Sequence, residues 1–194
     1  MKNFEFTDRA LRREYRAGNL PLIGTGAFAC VFGIDEQLAL KVTCDPASVA
    51  MLSWQPRSLK LSPAFPVVFA DLGIVARCDD CRYHAFVVER LSMLQVDRTD
   101  GVFQIFADVR QMYDVEALSP VVDAAYLRAL AAKRALGMRA EMLALARMVD
   151  TGGWLVDSFG RGNLLQRATG QLCLSDPLYS LVQIKRRAKV TADV

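Results

Sequence analysis

Apolar and polar positions along this chain predict a strand-rich first half and a helix-rich second half. Residues 7–17 mix charge with Leu11 and Tyr15, the pattern of a short surface helix whose N-terminal turn Asp8 favours. The run from Leu22 to Ile34 reads as a strand, a turn with two glycines and a second strand. Leu38-Ala39-Leu40-Lys41-Val42 reads as a third strand, with Leu38, Leu40 and Val42 on one face and Ala39 and Lys41 on the other. Residues 46–62 open as a helix at Pro46, a residue suited to a first helical turn. Residues 65–76 and 82–91 form two more strands around the turn Cys78-Asp79-Asp80-Cys81. Across 102–150 the apolar residues recur at three and four. Phe103, Phe106, Val109, Met112 and Tyr113 come first. Tyr126, Leu127, Leu130, Leu136, Met138, Met142, Leu145 and Met148 follow in a second segment that Ser119-Pro120 starts and Gly152-Gly153 ends.

Downstream, Leu164-Leu165-Gln166 and Gln171-Leu172-Cys173-Leu174 are the two strands of a hairpin, turned at Ala168-Thr169-Gly170. Folding back brings Asn163 and Asp176, at its two ends, together. An amide oxygen beside a carboxylate suits a hard octahedral cation such as Mg²⁺. Lys41 is the other unusual position. A lysine in mid-strand among apolar residues is costly to bury without an anion nearby, and the alternative is an edge strand that points it to water.

Composition narrows the class. Of 194 residues, 53% are hydrophobic and 23% charged, enough for a real core in one domain or two small lobes. A net charge of +3 does not argue for a nucleic-acid partner. The basic clusters Arg9, Arg12, Arg13, Arg16 and Lys185, Arg186, Arg187, Lys189 read as solvated faces. No apolar run approaches the ~20 residues of a membrane span. Five cysteines and a start without an apolar leader segment lead to an expectation of a reduced, cytoplasmic protein. Cys78-x-x-Cys81 lacks a second ligand pair for zinc, and His84, the one histidine, reads as structural.

Gly24-x-Gly26-x-Phe28-x-x-Val31 followed by Ala39-Leu40-Lys41-Val42 resembles the glycine-rich loop and third-strand lysine of protein kinases. Val87-Val88-Glu89-Arg90-Leu91 resembles the kinase linker, and Asn163 followed after 13 residues by Asp176 resembles the spacing of the kinase metal ligands. Gly162-Asn163-Leu164-Leu165 and Leu174-Ser175-Asp176-Pro177-Leu178 look like the small early serine/threonine kinases of short-tailed coliphages. The resemblance covers about residues 20–180. It implies an α+β, minimal two-lobe protein-kinase-like fold, with an antiparallel N-lobe sheet over 1–90 and a small helical C-lobe over 91–194. It also implies ATP and Mg²⁺. Gly24, Gly26 and Phe28 would cover the phosphates, Val31 the base, and Lys41 the α- and β-phosphates. Val88 would be the gatekeeper, with Glu89 and Leu91 offering backbone groups to adenine. Asn163 and Asp176 would hold the metal. The implied activity is phage-type serine/threonine phosphorylation of host bacterial proteins, such as the transcription machinery, in the bacterial cytoplasm.

The chain departs from that pattern. No Glu lies between Glu36 and Glu89 to pair with Lys41. Ser158 stands five residues before Asn163, where the kinase base belongs, and Asp157 precedes it, so Asp157 serves only if the glycines of 159–162 absorb one extra residue. Arg161 would neutralise phosphate charge. Few residues follow Asp176, so a substrate protein is expected to dock on another surface than the long kinase activation segment. These departures keep open a pseudokinase that binds and inhibits or redirects a host protein. An aminoglycoside-type kinase shares the Asn/Asp pair, but Leu155 stands where its histidine belongs.

Overall fold

The structure, a computed structural model, describes residues 6–54, 62–78, 81–94, 100–113, 118–157, 159 and 162–182. It is an α+β protein, and the chain divides into two units, residues 1–60 with 66–91 and residues 61–65 with 92–194. Residues 61–65, expected with the first unit, group with the second.

The first unit is built on an antiparallel five-stranded sheet. Its strands are β1 (Leu22–Thr25), β2 (Ala29–Gly33), β3 (Leu38–Thr43), β4 (Val68–Cys78) and β5 (Cys81–Glu89), in the order β1-β2-β3-β5-β4. Helix α1 (Arg9–Arg16) starts at Asp8, whose carboxylate accepts from the Leu11 N–H at 2.8 Å, a side-chain cap for an otherwise orphan donor. Just before it, Phe6 bridges to Ala76 and the Thr7 N–H donates to the Val75 carbonyl, so this segment lies along β4. Phe6, Tyr15 and Phe32 meet edge to face, with centroids 5.4–6.3 Å apart. They join Cys30, Leu40, Val42, Val75, Tyr83 and Ala85 in one buried cluster. Leu40 and Val42 face it, as the alternation of β3 requires. Helix α2 (Pro46–Trp54) follows β3, with the Asp45 carboxylate accepting from the Ala47 N–H and Pro46 at its first position. Strand β4 is bulged near Gly73, which adopts φ +67 while its N–H donates to Asp71.

Among its described residues, the second unit contains three α-helices and two small sheets. Helix α3 (Asp100–Arg110) ends before Met112, which was expected on its apolar face and is instead 71% exposed. Beyond Ser119-Pro120 the expected single helix is two, α4 (Pro120–Ala131) and α5 (Arg139–Gly152). The chain turns between them at Gly137, which takes the left-handed φ of +65 that L side chains avoid. The turn lets α4 and α5 pack against each other, with Tyr126, Leu127, Leu130, Met142, Leu145 and Val149 buried. Strands β6 (Ser92–Met93), β8 (Leu164–Gln166) and β9 (Leu172–Leu174) form one sheet; β7 (Leu155–Val156) and β10 (Leu178–Tyr179) form the other. Residues 62–65 are held within this unit. The Leu174 N–H donates to the Ala64 carbonyl at 2.7 Å, Ser62 donates to the buried Glu141, and the Arg167 guanidinium donates to the carbonyls of Pro63 and Phe65. Among the described residues, no helix is long and apolar enough to cross a membrane.

Candidate active site

Strand β3 is the central strand of the first sheet, so an edge-strand lysine is excluded, and Lys41 is 6% exposed. Its cross-strand partners are Val31 on β2 and Phe86 on β5; Ala39 pairs with Val88 in the same way. Directly opposed residues share a face, and so do residues two apart. Val31, Ala39, Lys41, Phe86 and Val88 therefore line one face, opposite the buried cluster beneath Leu40 and Val42. Lys41 thus places a cationic side chain on a face otherwise formed by Val31, Ala39, Phe86 and Val88.

The turn between β1 and β2 holds Gly24 and Gly26. The Gly26 N–H donates to the Ala29 carbonyl at 2.9 Å, and the Phe28 carbonyl accepts from the Cys44 N–H at 3.0 Å. Neither glycine has a positive φ, and a Cβ on either would meet only ordinary contacts, at 3.7 Å and 3.9 Å. Nothing inside the protein therefore requires glycine at these two positions; what their bare backbone offers is close approach from outside. The Phe28 ring packs against the buried cluster, on the face away from Lys41. At the end of β5 the Glu89 N–H is taken by the Val67 carbonyl at 2.8 Å, and the Arg90 N–H by that of Gln37. Leu91 follows, half-buried.

In the second unit, Asp157, Asn163 and Asp176 are gathered by main-chain pairing. Leu164 pairs with Leu174 across the hairpin, and the Ser175 N–H donates to the Asn163 carbonyl at 2.8 Å. The Ser175 hydroxyl lies 3.3 Å from the carbonyls of both Gly162 and Asn163. On the other side, Leu178 pairs with Val156, and the Asp157 N–H donates to the Pro177 carbonyl at 2.9 Å. Asp176 is thus the single residue between one bonded to Asn163 and one bonded to Asp157. All three side chains are half-buried. Burial first, and then the negative charges of Asp123 and Asp157, push the phenol of Tyr179 up.

Among the described residues no cluster of three or more His, Cys, Asp or Glu side chains could hold a metal. A closed zinc-type cage would need such a cluster. The Asp176 carboxylate and the Asn163 amide fit Mg²⁺, which needs only one or two protein carboxylates when phosphate oxygens and water complete its shell. Helix α2, where the kinase pattern carries a glutamate, contains no acid. Ser158, Arg161 and the basic stretch 185–189 lie outside the described residues.

Two contributors were not anticipated. Asp123 on α4 is 1% exposed, and its Oδ2 accepts from the Val156 N–H at 2.8 Å. Phe159 stacks on Phe106 at 4.6 Å and leans on Tyr126 at 6.2 Å. Both anchor the loop around Asp157 from below. One signal was present: Asp123 is a lone charge inside Pro120-Val121-Val122-Asp123-Ala124-Ala125-Tyr126-Leu127. No family model matches the chain, and no curated protein does.

Proposed function

We propose that this protein is an ATP- and Mg²⁺-dependent serine/threonine protein kinase of minimal two-lobe kinase-like architecture. The observation that carries the proposal is the pinning of Asp176 between Ser175, bonded to Asn163, and Pro177, bonded to Asp157. The buried Lys41 on its apolar face and the sterically unforced Gly24 and Gly26 support it. In this mechanism Lys41 takes the α- and β-phosphates, and the open backbone at Gly24 and Gly26 approaches phosphate oxygens. Ala39, Val31 and Val88 pack on the base. Asn163 and Asp176 would hold Mg²⁺, which would supply charge neutralisation at the phosphates. Asp157 orients a serine or threonine hydroxyl. That oxygen bonds to the γ-phosphorus, the bond from phosphorus to the bridging oxygen breaks, ADP leaves, and the hydroxyl proton passes to Asp157. The targets, host bacterial proteins such as the transcription machinery, and the site of action, the bacterial cytoplasm, rest on the sequence resemblance alone.

The acid-free α2 favours a second function, a pseudokinase that binds a host protein and redirects it. Incubation with γ-labelled ATP, Mg²⁺ and a bacterial lysate separates the two. Label transfer that disappears in Asp176→Ala is the expected result. ATP binding without transfer, at every protein concentration tried, would leave the pseudokinase standing and remove the kinase.

A further inference from the structure

We infer that Asp123 is a positioning residue for Asp157: its carboxylate fixes the strand that presents the catalytic acid. The inference rests on the kinase function proposed above and deepens it. Asp123 is on the fourth residue of α4, 33 positions from the N–H it binds. That N–H belongs to Val156, the residue immediately before Asp157. Asp157 is held from its other side by Pro177, through a bond that belongs to the β7–β10 pair. Losing the Asp123 bond would leave this two-residue strand held by its pairing with β10 and by the Asp157–Pro177 bond that continues it.

The second oxygen of Asp123 marks the residue as more than packing. Its Oδ1 is fully buried with no hydrogen-bond partner among the described residues. A buried carboxylate oxygen left unsatisfied is costly, and an alanine or leucine would avoid that cost. The groups that face it are Arg110 at the end of α3, Tyr126 on α4, Tyr179 on β10 and, further off, Asp157 acting on Tyr179. Burial raises its pKa above the ordinary carboxylate value, against the opposing Val156 bond and Arg110 charge. A fold that tolerates this group gains a rigid acceptor aimed at one main-chain N–H beside the reacting acid.

The test compares Asp123→Asn, which keeps an acceptor oxygen, with Asp123→Ala, which removes it, and with Asp123→Glu, which displaces it by a methylene. MgATP affinity, set by Lys41, Asn163 and Asp176, should stay within about threefold in all three. The kcat for phosphoryl transfer should fall about 100-fold in Asp123→Ala and Asp123→Glu, the scale of a small misplacement of a catalytic group. Asp123→Asn should restore it to within a few-fold. In an Asp157→Ala background Asp123→Ala should cost nothing further, because it acts only through Asp157. A structural lesion would instead multiply with the loss of Asp157, and that result overturns the inference. If Asp123→Ala does not fold, Asp123→Glu and the Asp123→Asn rescue decide. Amide exchange of Val156 and Asp157 keeps the two hypotheses apart. Protection lost in Asp123→Ala and kept in Asp123→Asn, in a protein that transfers no phosphate, refutes the kinase and retains the anchor. Unchanged protection and unchanged kcat in Asp123→Ala refute the anchor while the kinase stands.

Discussion

Replacing Lys41 by Met separates binding from folding. The side chain is 6% exposed on the central strand, between Val31 and Phe86. Met keeps most of the aliphatic stem that packs there and removes the ammonium, whose burial is itself unfavourable. The loss of its attraction and the loss of its desolvation cost act in opposite directions, so net stability should change by no more than about 1 kcal/mol. For a chain of this size that is a shift in Tm of about 2–4 °C. Binding should respond very differently. A charge-assisted contact to phosphate contributes about 1.5–3 kcal/mol, equivalent to about 10- to 150-fold in Kd. Thermal unfolding with and without MgATP reads both effects. Wild-type protein at 100 times its Kd should gain about 2.7 kcal/mol, and Lys41→Met at the same ATP concentration should gain about half of that at most. Equal ATP-induced shifts in the two proteins would show that Lys41 touches no phosphate, and the nucleotide face proposed here would be wrong.

Other outcomes are expected on the same grounds. Leu164 is fully buried and begins the hairpin beside Asn163, so Leu164→Ala should cost about 2–5 kcal/mol in urea unfolding. Gly170 turns that hairpin at φ +81, so Gly170→Ala should cost about 1–2 kcal/mol and weaken Mg²⁺-dependent ATP binding with it. Asp123 has a raised folded-state pKa, so its contribution is largest below the ordinary carboxylate value of about 3.9 and is lost as pH rises through the folded value. Urea midpoints should therefore show wild type gaining on Asp123→Asn as pH falls from neutral toward about 3.9. Burial also raises the Tyr126 phenol, so the fold keeps its contribution below about pH 10 and loses it above. Tyr126→Phe should flatten the alkaline limb of the stability profile.

Much of the fold was legible because it is local. Alternation in Leu38–Val42 assigned the faces of β3, and Gly170 and the matched strand lengths set the register that pairs Leu164 with Leu174. Asn163 and Asp176 followed from that register. What was missed depends on distant partners or on one residue's backbone. The residues between Ala131 and Leu136 are mostly good helix formers, and Gly137 alone, in a left-handed conformation, lets the chain reverse. Met112 fits the helical period, yet α3 stops two residues before it. Asp123 could not be assigned to the site because its partner lies 33 residues away and is a main-chain N–H, which carries no sequence signature. The central position of β3, which buries Lys41, likewise depends on β5 entering the sheet between β3 and β4.

Paramagnetic broadening by Mn²⁺–ATP asks whether one nucleotide is served by Lys41 and by Asp176 together. With Mn²⁺ in place of Mg²⁺, the methyl signals of Val31 and Val88 and the amides of Asn163 and Asp176 should all broaden at the same low metal ratio. Broadening restricted to one of these two groups, or absent from both, would contradict the shared nucleotide site.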